Sequence, residues 1–147
     1  MHKELKLKSH FHFIGIGGIG MSAIATALIK KGHSVSGSDL IKNKETNQLE
    51  KLGAIIFESQ FKDNIDFVNL KFKNKKINFV ISSAIKPDNN ELSYCQKNNF
   101  SIKHRSEILA MIMKTYTSLA VAGSHGKQLQ ALSSPHYWNY VPIIPLQ

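Results

Sequence analysis

Three glycines constrain this chain more than any other feature. They stand as Gly15-x-Gly17-x-x-Gly20, after the apolar run at residues 11–15 (FHFIG) and before residues 21–31 (MSAIATALIKK). In the second run Ile24, Ala25 and Leu28 share one helical face. A strand that passes through glycines into a helix is the context that a diphosphate-binding turn needs. The first glycine allows the tight turn, the second lets backbone approach a diphosphate, and the third lets helix and strand pack closely. N–H groups at the helix N-terminus then face the anion. Asp39 ends the next strand candidate, where such folds place an acceptor for a ribose. The spacing does not separate a dinucleotide from a nucleotide-diphosphate sugar, because both present a pyrophosphate to the same loop.

The rest of the chain keeps the alternation. Strands are expected at residues 34–37, 54–57, 77–82, 100–102 and 118–122. Helices are expected at 45–52, from Pro87 to about Lys97, and at 105–114, where Ile108, Met111 and Ile112 face inward. Residues 58–76 read as a loop with a short helix. This order predicts an α/β fold, a Rossmann-like and mostly parallel sheet with helices on both faces.

Composition narrows the function classes. Of 147 residues, 42% are hydrophobic and 20% charged, which suits a soluble globular chain. No apolar run is long enough to span a membrane, and the basic start MHKELKLKSH lacks the apolar core of a signal peptide. A single cysteine, Cys95, excludes an internal disulfide and a cysteine-based zinc site and makes the cytoplasm the default compartment. The net charge of +9 could signal an anionic partner. Yet Arg105 is the sole arginine, and a lysine-, asparagine- and isoleucine-rich chain also follows from A/T-rich codons. Basic and aromatic residues do not interleave as single-strand binding requires, so neither a nucleic-acid nor a membrane partner is expected. The histidines show no tight metal-ligand spacing, so no metal site is expected; His10 and His12 share one strand face. His12, just ahead of the glycine loop, has a phosphate contact and a structural role as equal readings.

A second glycine loop, Gly123-Ser124-His125-Gly126-Lys127, has the lysine of a phosphate loop but is followed by Gln128. A hydroxyl is needed there to bind Mg²⁺. The tail from Gln128 to Gln147 has no clear period. Reading each codon one base earlier, from an AAA codon at Lys127, allows Thr-Thr-Thr-Ser-Ala after the lysine. The same shift turns His136-Tyr137-Trp138-Asn139 into Leu-Leu-Glu-Leu. A reading-frame change is therefore the expected origin of the tail.

Four ordered segments, FHFIGIGGIGMSAIATALIKKGHSVSGSD, VISSAIKPDNNEL, HRSEILAMIM and VAGSHGK, resemble the Mur ligases over roughly residues 10 to 127. The resemblance implies a Rossmann-like first domain at residues 1–117 that binds UDP-N-acetylmuramate for peptidoglycan synthesis. It implies that residues 118–147 hold the truncated start of an ATP-binding central domain. In that family ATP, with Mg²⁺, activates a carboxylate as an acyl phosphate that an amino-acid amine attacks. By resemblance Gly15, Gly17, Gly18, Ile19 and Gly20 hold the diphosphate, and Ser38 and Asp39 face the nucleoside. Ser83 and Arg105 line the substrate side. Gly123, Ser124, His125, Gly126 and Lys127 are the remnant of the ATP loop, and Gln128 argues against a working Mg²⁺ site. This chain is therefore expected to bind the sugar nucleotide without ligating it. Two alternatives stay open: a small NAD-binding oxidoreductase, and a non-catalytic assembly fragment that self-associates through an uncovered face.

Overall fold

The computed structural model describes residues 9–123, with side chains as far as Tyr116. Five strands, β1 (His10–Ile14), β2 (Ser34–Ser38), β3 (Ile55–Phe57), β4 (Ile77–Ile81) and β5 (Ile102–His104), alternate with five helices. The helices are α1 (Ile19–Lys30), α2 (Lys44–Lys51), α3 (Lys62–Lys71), α4 (Asn90–Lys97) and α5 (Arg105–Gly123). The strands form one all-parallel sheet in the order β3-β2-β1-β4-β5. This is the expected α/β, Rossmann-like architecture.

β1 lies at the centre and is buried along its whole length. A parallel strand covered on both faces cannot alternate between apolar and polar. Phe11 and Phe13 turn to one face and join Ile24, Leu28, Val80, Ile108 and Ile112, so that α1, α2 and α5 cover that side. The opposite face packs Ile65, Val68, Phe79 and Cys95 beneath α3 and α4. Each fully buried phenylalanine in these layers contributes roughly 1.5–3 kcal/mol.

Local chemistry sets the helix ends. α1 stops where Gly32 takes φ +94° and its N–H reaches the carbonyl of Ile29. Asn43 opens α2 with a capping box: its side chain accepts from Thr46 N–H, and Thr46 Oγ1 accepts from Asn43 N–H. Asn89 opens α4 by accepting from the N–H groups of Glu91 and Leu92.

Two expectations need correction, and a third gains its bounds. Residues 58–76 hold the expected loop with a helix, which runs over the ten residues Lys62–Lys71. Its inward Ile65 and Val68 are masked by the exposed Phe67 and Leu70, which blur the period in sequence. The fifth strand begins at Ile102 rather than Phe100, because Phe100 N–H closes the end of α4 on the Cys95 carbonyl and Asn99 turns with φ +56°. Residues 118–122 are not a strand: α5 runs unbroken to Gly123. No proline or glycine lies between Lys114 and Gly123 to stop it, and a helix satisfies its backbone without a neighbouring strand.

Candidate functional site

The sheet order reverses between β1 and β4. Chain leaving β1 goes to β2 on one side, while β4 and β5 build outward on the other. Open α/β sheets bind ligands at such a switch point, outside the carboxyl ends of the strands. The glycine loop lies there.

Gly15 takes φ +85°, a left-handed conformation that a side chain strains. The N–H groups of Gly15 and Ile16 both donate to the carbonyl of Ser38, at 2.8 and 2.9 Å. The end of β2 thereby holds the start of the loop. Gly17 N–H donates to Asp39 Oδ2 at 2.8 Å, and Ile41 N–H donates to Asp39 Oδ1 at 3.1 Å. Asn43 Nδ2 donates to the Gly17 carbonyl at 3.0 Å. Asp39, expected to face a nucleoside, thus also clamps the loop, and Gly17 N–H is already engaged. Gly18 caps α1 with no side-chain bond, and the first turn of α1 carries no acidic residue. Its free N–H groups give that end of the helix a partial positive charge.

Ser83 and Arg105, expected on the substrate side, close on the same edge. Arg105, the first residue of α5, lies against Gly20: a Cβ placed on Gly20 would sit 3.1 Å from Arg105 Nη1. Ile85, in the turn after β4, lies 3.0 Å from where a Cβ of Gly15 would be. Ser83 in that turn is exposed, and its Oγ lies 3.2 Å from His104 Nε2. The structure therefore gathers Gly15, Gly17, Gly18, Ile19, Gly20, Ser38, Asp39, Ser83 and Arg105 at one rim. Ile19 is exposed on it. Beside Ser38, a groove of about 520 Å³ is lined by Leu40, Glu58, Ser59, Gln60, Asp88 and Asn89. Gln60 Nε2 donates to Ser38 Oγ at 3.3 Å and Asn89 Nδ2 to Gln60 Oε1 at 3.0 Å, tying β2 to the cap of α4.

Asn43, Gln60, Asn89 and His104 were missed in sequence. Asn43 carried a findable signal, the spacing of a capping box to Thr46. Gly123 ends α5; Ser124, His125, Gly126, Lys127, Gln128 and the expected frame-shifted tail lie outside the described residues.

His12 does not touch the loop. It is fully buried, with Nδ1 2.8 Å from Ser36 Oγ and Nε2 2.6 Å from Glu91 Oε1. His10 shares Ser36, and burial drives its pKa from 6.5 down to about 3, with the nearby His12 and Lys75 adding to the effect. Burial pushes the Cys95 thiol up to about 12, with Glu91 contributing, which removes it as a nucleophile near neutral pH. Among the described residues no three His, Cys, Asp or Glu side chains are grouped to hold a metal ion.

Residues 10–117 match the family model described as "Mur ligase family, catalytic domain". A UDP-N-acetylmuramate–L-alanine ligase of Prochlorococcus marinus subsp. pastoris is 73% identical over 127 residues, covering 86% of this chain and 27% of that protein. The ligase of the same name from Aquifex aeolicus is 44% identical over 117 residues, covering 80% of this chain and 24% of that one. Among solved structures, the UDP-N-acetylmuramate-alanine ligase of Thermotoga maritima superposes with a TM-score of 0.61 at 30% identity, covering 72% of this chain and 23% of that one. The chain spans about a quarter of the length of the curated relatives it matches.

Proposed function

The chain belongs to the Mur ligase family, and from that premise we propose that its rim binds UDP-N-acetylmuramate as the substrate-holding part of a UDP-N-acetylmuramate–L-alanine ligase of peptidoglycan synthesis. One observation carries the reading. The glycine loop, the open first turn of α1, Ser83 and Arg105 converge on one edge of the sheet, although they come from three separate stretches of chain. The ligand carries negative charge at two places, its diphosphate and its lactyl carboxylate. The diphosphate suits the N–H groups of Ile19 and Gly20, since Gly17 N–H is held by Asp39. Ser38 and Asp39 lead directly into Leu40, which lines the groove suited to the nucleoside, and Ser38 Oγ is bonded by Gln60 of that lining. Ser83 and Arg105 supply a hydroxyl and a guanidinium for the remaining anionic group.

Ligation itself is proposed for the whole protein. There ATP, with Mg²⁺, activates the carboxylate as an acyl phosphate and the amine of L-alanine attacks it. The residues described here contribute binding and orientation. By resemblance the ATP loop is Gly123, Ser124, His125, Gly126 and Lys127, and Gln128 in place of a hydroxyl residue opposes Mg²⁺ binding there. The present chain is expected to bind without ligating. A cytoplasmic location fits a nucleotide-sugar substrate, and no helix among the described residues is long and apolar enough to cross a membrane.

Calorimetric titration tests the proposal. UDP-N-acetylmuramate should bind with one site per chain, while NADH gives no heat and ATP at most a weak signal. Binding of NADH in place of the sugar nucleotide would overturn the reading and favour a nicotinamide-dependent oxidoreductase.

A further inference from the structure

His104 is the last residue of β5 and directly precedes α5, and its ring is held from two sides. Ser106 N–H donates to Nδ1 at 3.2 Å, and Ser106 Oγ also lies 2.8 Å from Nδ1. Glu107 Oε2 in turn accepts from His104 N–H at 2.8 Å. This is the reciprocal pattern of a capping box, with a histidine as the cap and the glutamate three residues on. A backbone N–H can only donate, so Nδ1 is the acceptor and the neutral ring carries its proton on Nε2. Nε2 is the atom that faces Ser83 Oγ, at 3.2 Å. The Ser83 oxygen therefore accepts from the ring, and its own proton is left to point away, toward the open rim.

Ser83 is exposed, and the residue following His104 is Arg105, whose guanidinium lies against Gly20 at the start of α1. The helix cap, the serine hydroxyl and the arginine are thus set by one turn of chain. A hydroxyl whose proton points outward donates to an anion; one free to rotate spends part of its time presenting a lone pair, which repels it.

We infer that His104 is a positioning residue: held by the first turn of α5, it fixes the Ser83 hydroxyl as a donor to the anionic group that Arg105 also meets. The inference rests on the reading that this rim binds UDP-N-acetylmuramate. It assigns His104 no contact with the ligand.

The test separates capping from positioning. Asparagine is a good N-cap but too short to reach Ser83. His104→Asn should therefore keep the melting temperature close to that of the parent chain. It should bind UDP-N-acetylmuramate about threefold more weakly, as expected when a hydroxyl held as a donor regains its freedom to rotate. Ser83→Ala should lose more, about tenfold, because the hydroxyl itself is gone, and the double variant should be no weaker than Ser83→Ala, because His104 acts only through that hydroxyl. Nitrogen and carbon NMR shifts of the His104 ring in the ligand-free parent should report the Nε2–H tautomer. A ring protonated on Nδ1, an H104N variant that binds as tightly as the parent, or losses that multiply in the double variant would each overturn the inference. If the parent chain does not bind the sugar nucleotide, the functional reading fails, and the ring tautomer decides this inference by itself.

Discussion

Gly37 and Gly18 flank the same loop, yet the space around them differs. A Cβ on Gly37 would meet Ile16 at 2.5 and 2.6 Å, and both residues are buried. Gly37→Ala overpacks the core and should cost about 1–3 kcal/mol of stability, seen as a lower urea midpoint. Gly18 has ordinary backbone angles, φ −66° and ψ 151°, and the nearest atom to a Cβ there, the Gly15 carbonyl oxygen, is 3.9 Å away. None of the described residues crowds a side chain at that position, so a loss on substitution there would come from the proposed ligand approach. Gly18→Ala should melt as the parent does and bind UDP-N-acetylmuramate roughly tenfold more weakly, the worth of one displaced hydrogen bond to phosphate. Unimpaired binding would show that the diphosphate does not lie on this loop. Gly17 differs from both: its Cβ would fall 2.8 Å from Asp39 Oδ2 and 3.2 Å from Asn43 Nδ2, the two groups that clamp the loop.

Between elements, a buried polar chain links β2, β1 and α4. Lys75 Nζ donates to Ser34 Oγ; Ser34 meets His10, His10 meets Ser36, Ser36 meets His12, and His12 meets Glu91. The His12 and Glu91 side chains have no exposure, and Glu91 Oε2 has no hydrogen-bond partner among the described residues. His12→Phe would leave the Glu91 carboxylate buried and unpaired, at a cost of about 3–5 kcal/mol. Pairing it with Glu91→Leu should recover most of that loss in urea unfolding; a double variant as unstable as the sum of the two singles would show that the residues are not coupled. This chain also marks what a sequence conceals. The glycine loop is legible because its chemistry is written within six residues, and β3 and β4 because each is a short, largely apolar run. The His12–Glu91 contact joins residues 79 apart, and no local pattern announces it. For the same reason Ser83 and Arg105 were placed by resemblance rather than by spacing, and His104 was weighed only as a metal ligand. The bounds of α3 are blurred by apolar residues on its outer side, and the helical course of residues 118–122 is hidden by a run that suits a strand equally well.

The whole molecule should weaken in mild acid, because it folds around neutral histidines. Burial lowers the pKa of His10 to about 3 and that of His33 below its ordinary 6.5. In the unfolded chain both titrate near 6.5, so below that pH the unfolded state binds protons that the native state refuses. Stability rises with pH wherever the unfolded state holds more protons. The contribution of these histidines is therefore complete above pH 6.5. For His10 it is lost progressively as pH falls toward about 3, with a slope of at most about 1.4 kcal/mol per pH unit. The net charge of +9 acts in the same direction, since added protons raise the self-repulsion of a chain that is already basic. Urea midpoints should be flat between pH 8 and 7 and fall between pH 6.5 and 5. His10→Asn should shallow that fall, even if it lowers stability at neutral pH by disturbing the stack on Phe72, where the ring centroids lie 3.6 Å apart. A midpoint that stays constant down to pH 5 would mean that His10 and His33 take up protons in the folded chain, and the neutral form of these two rings would have to be abandoned.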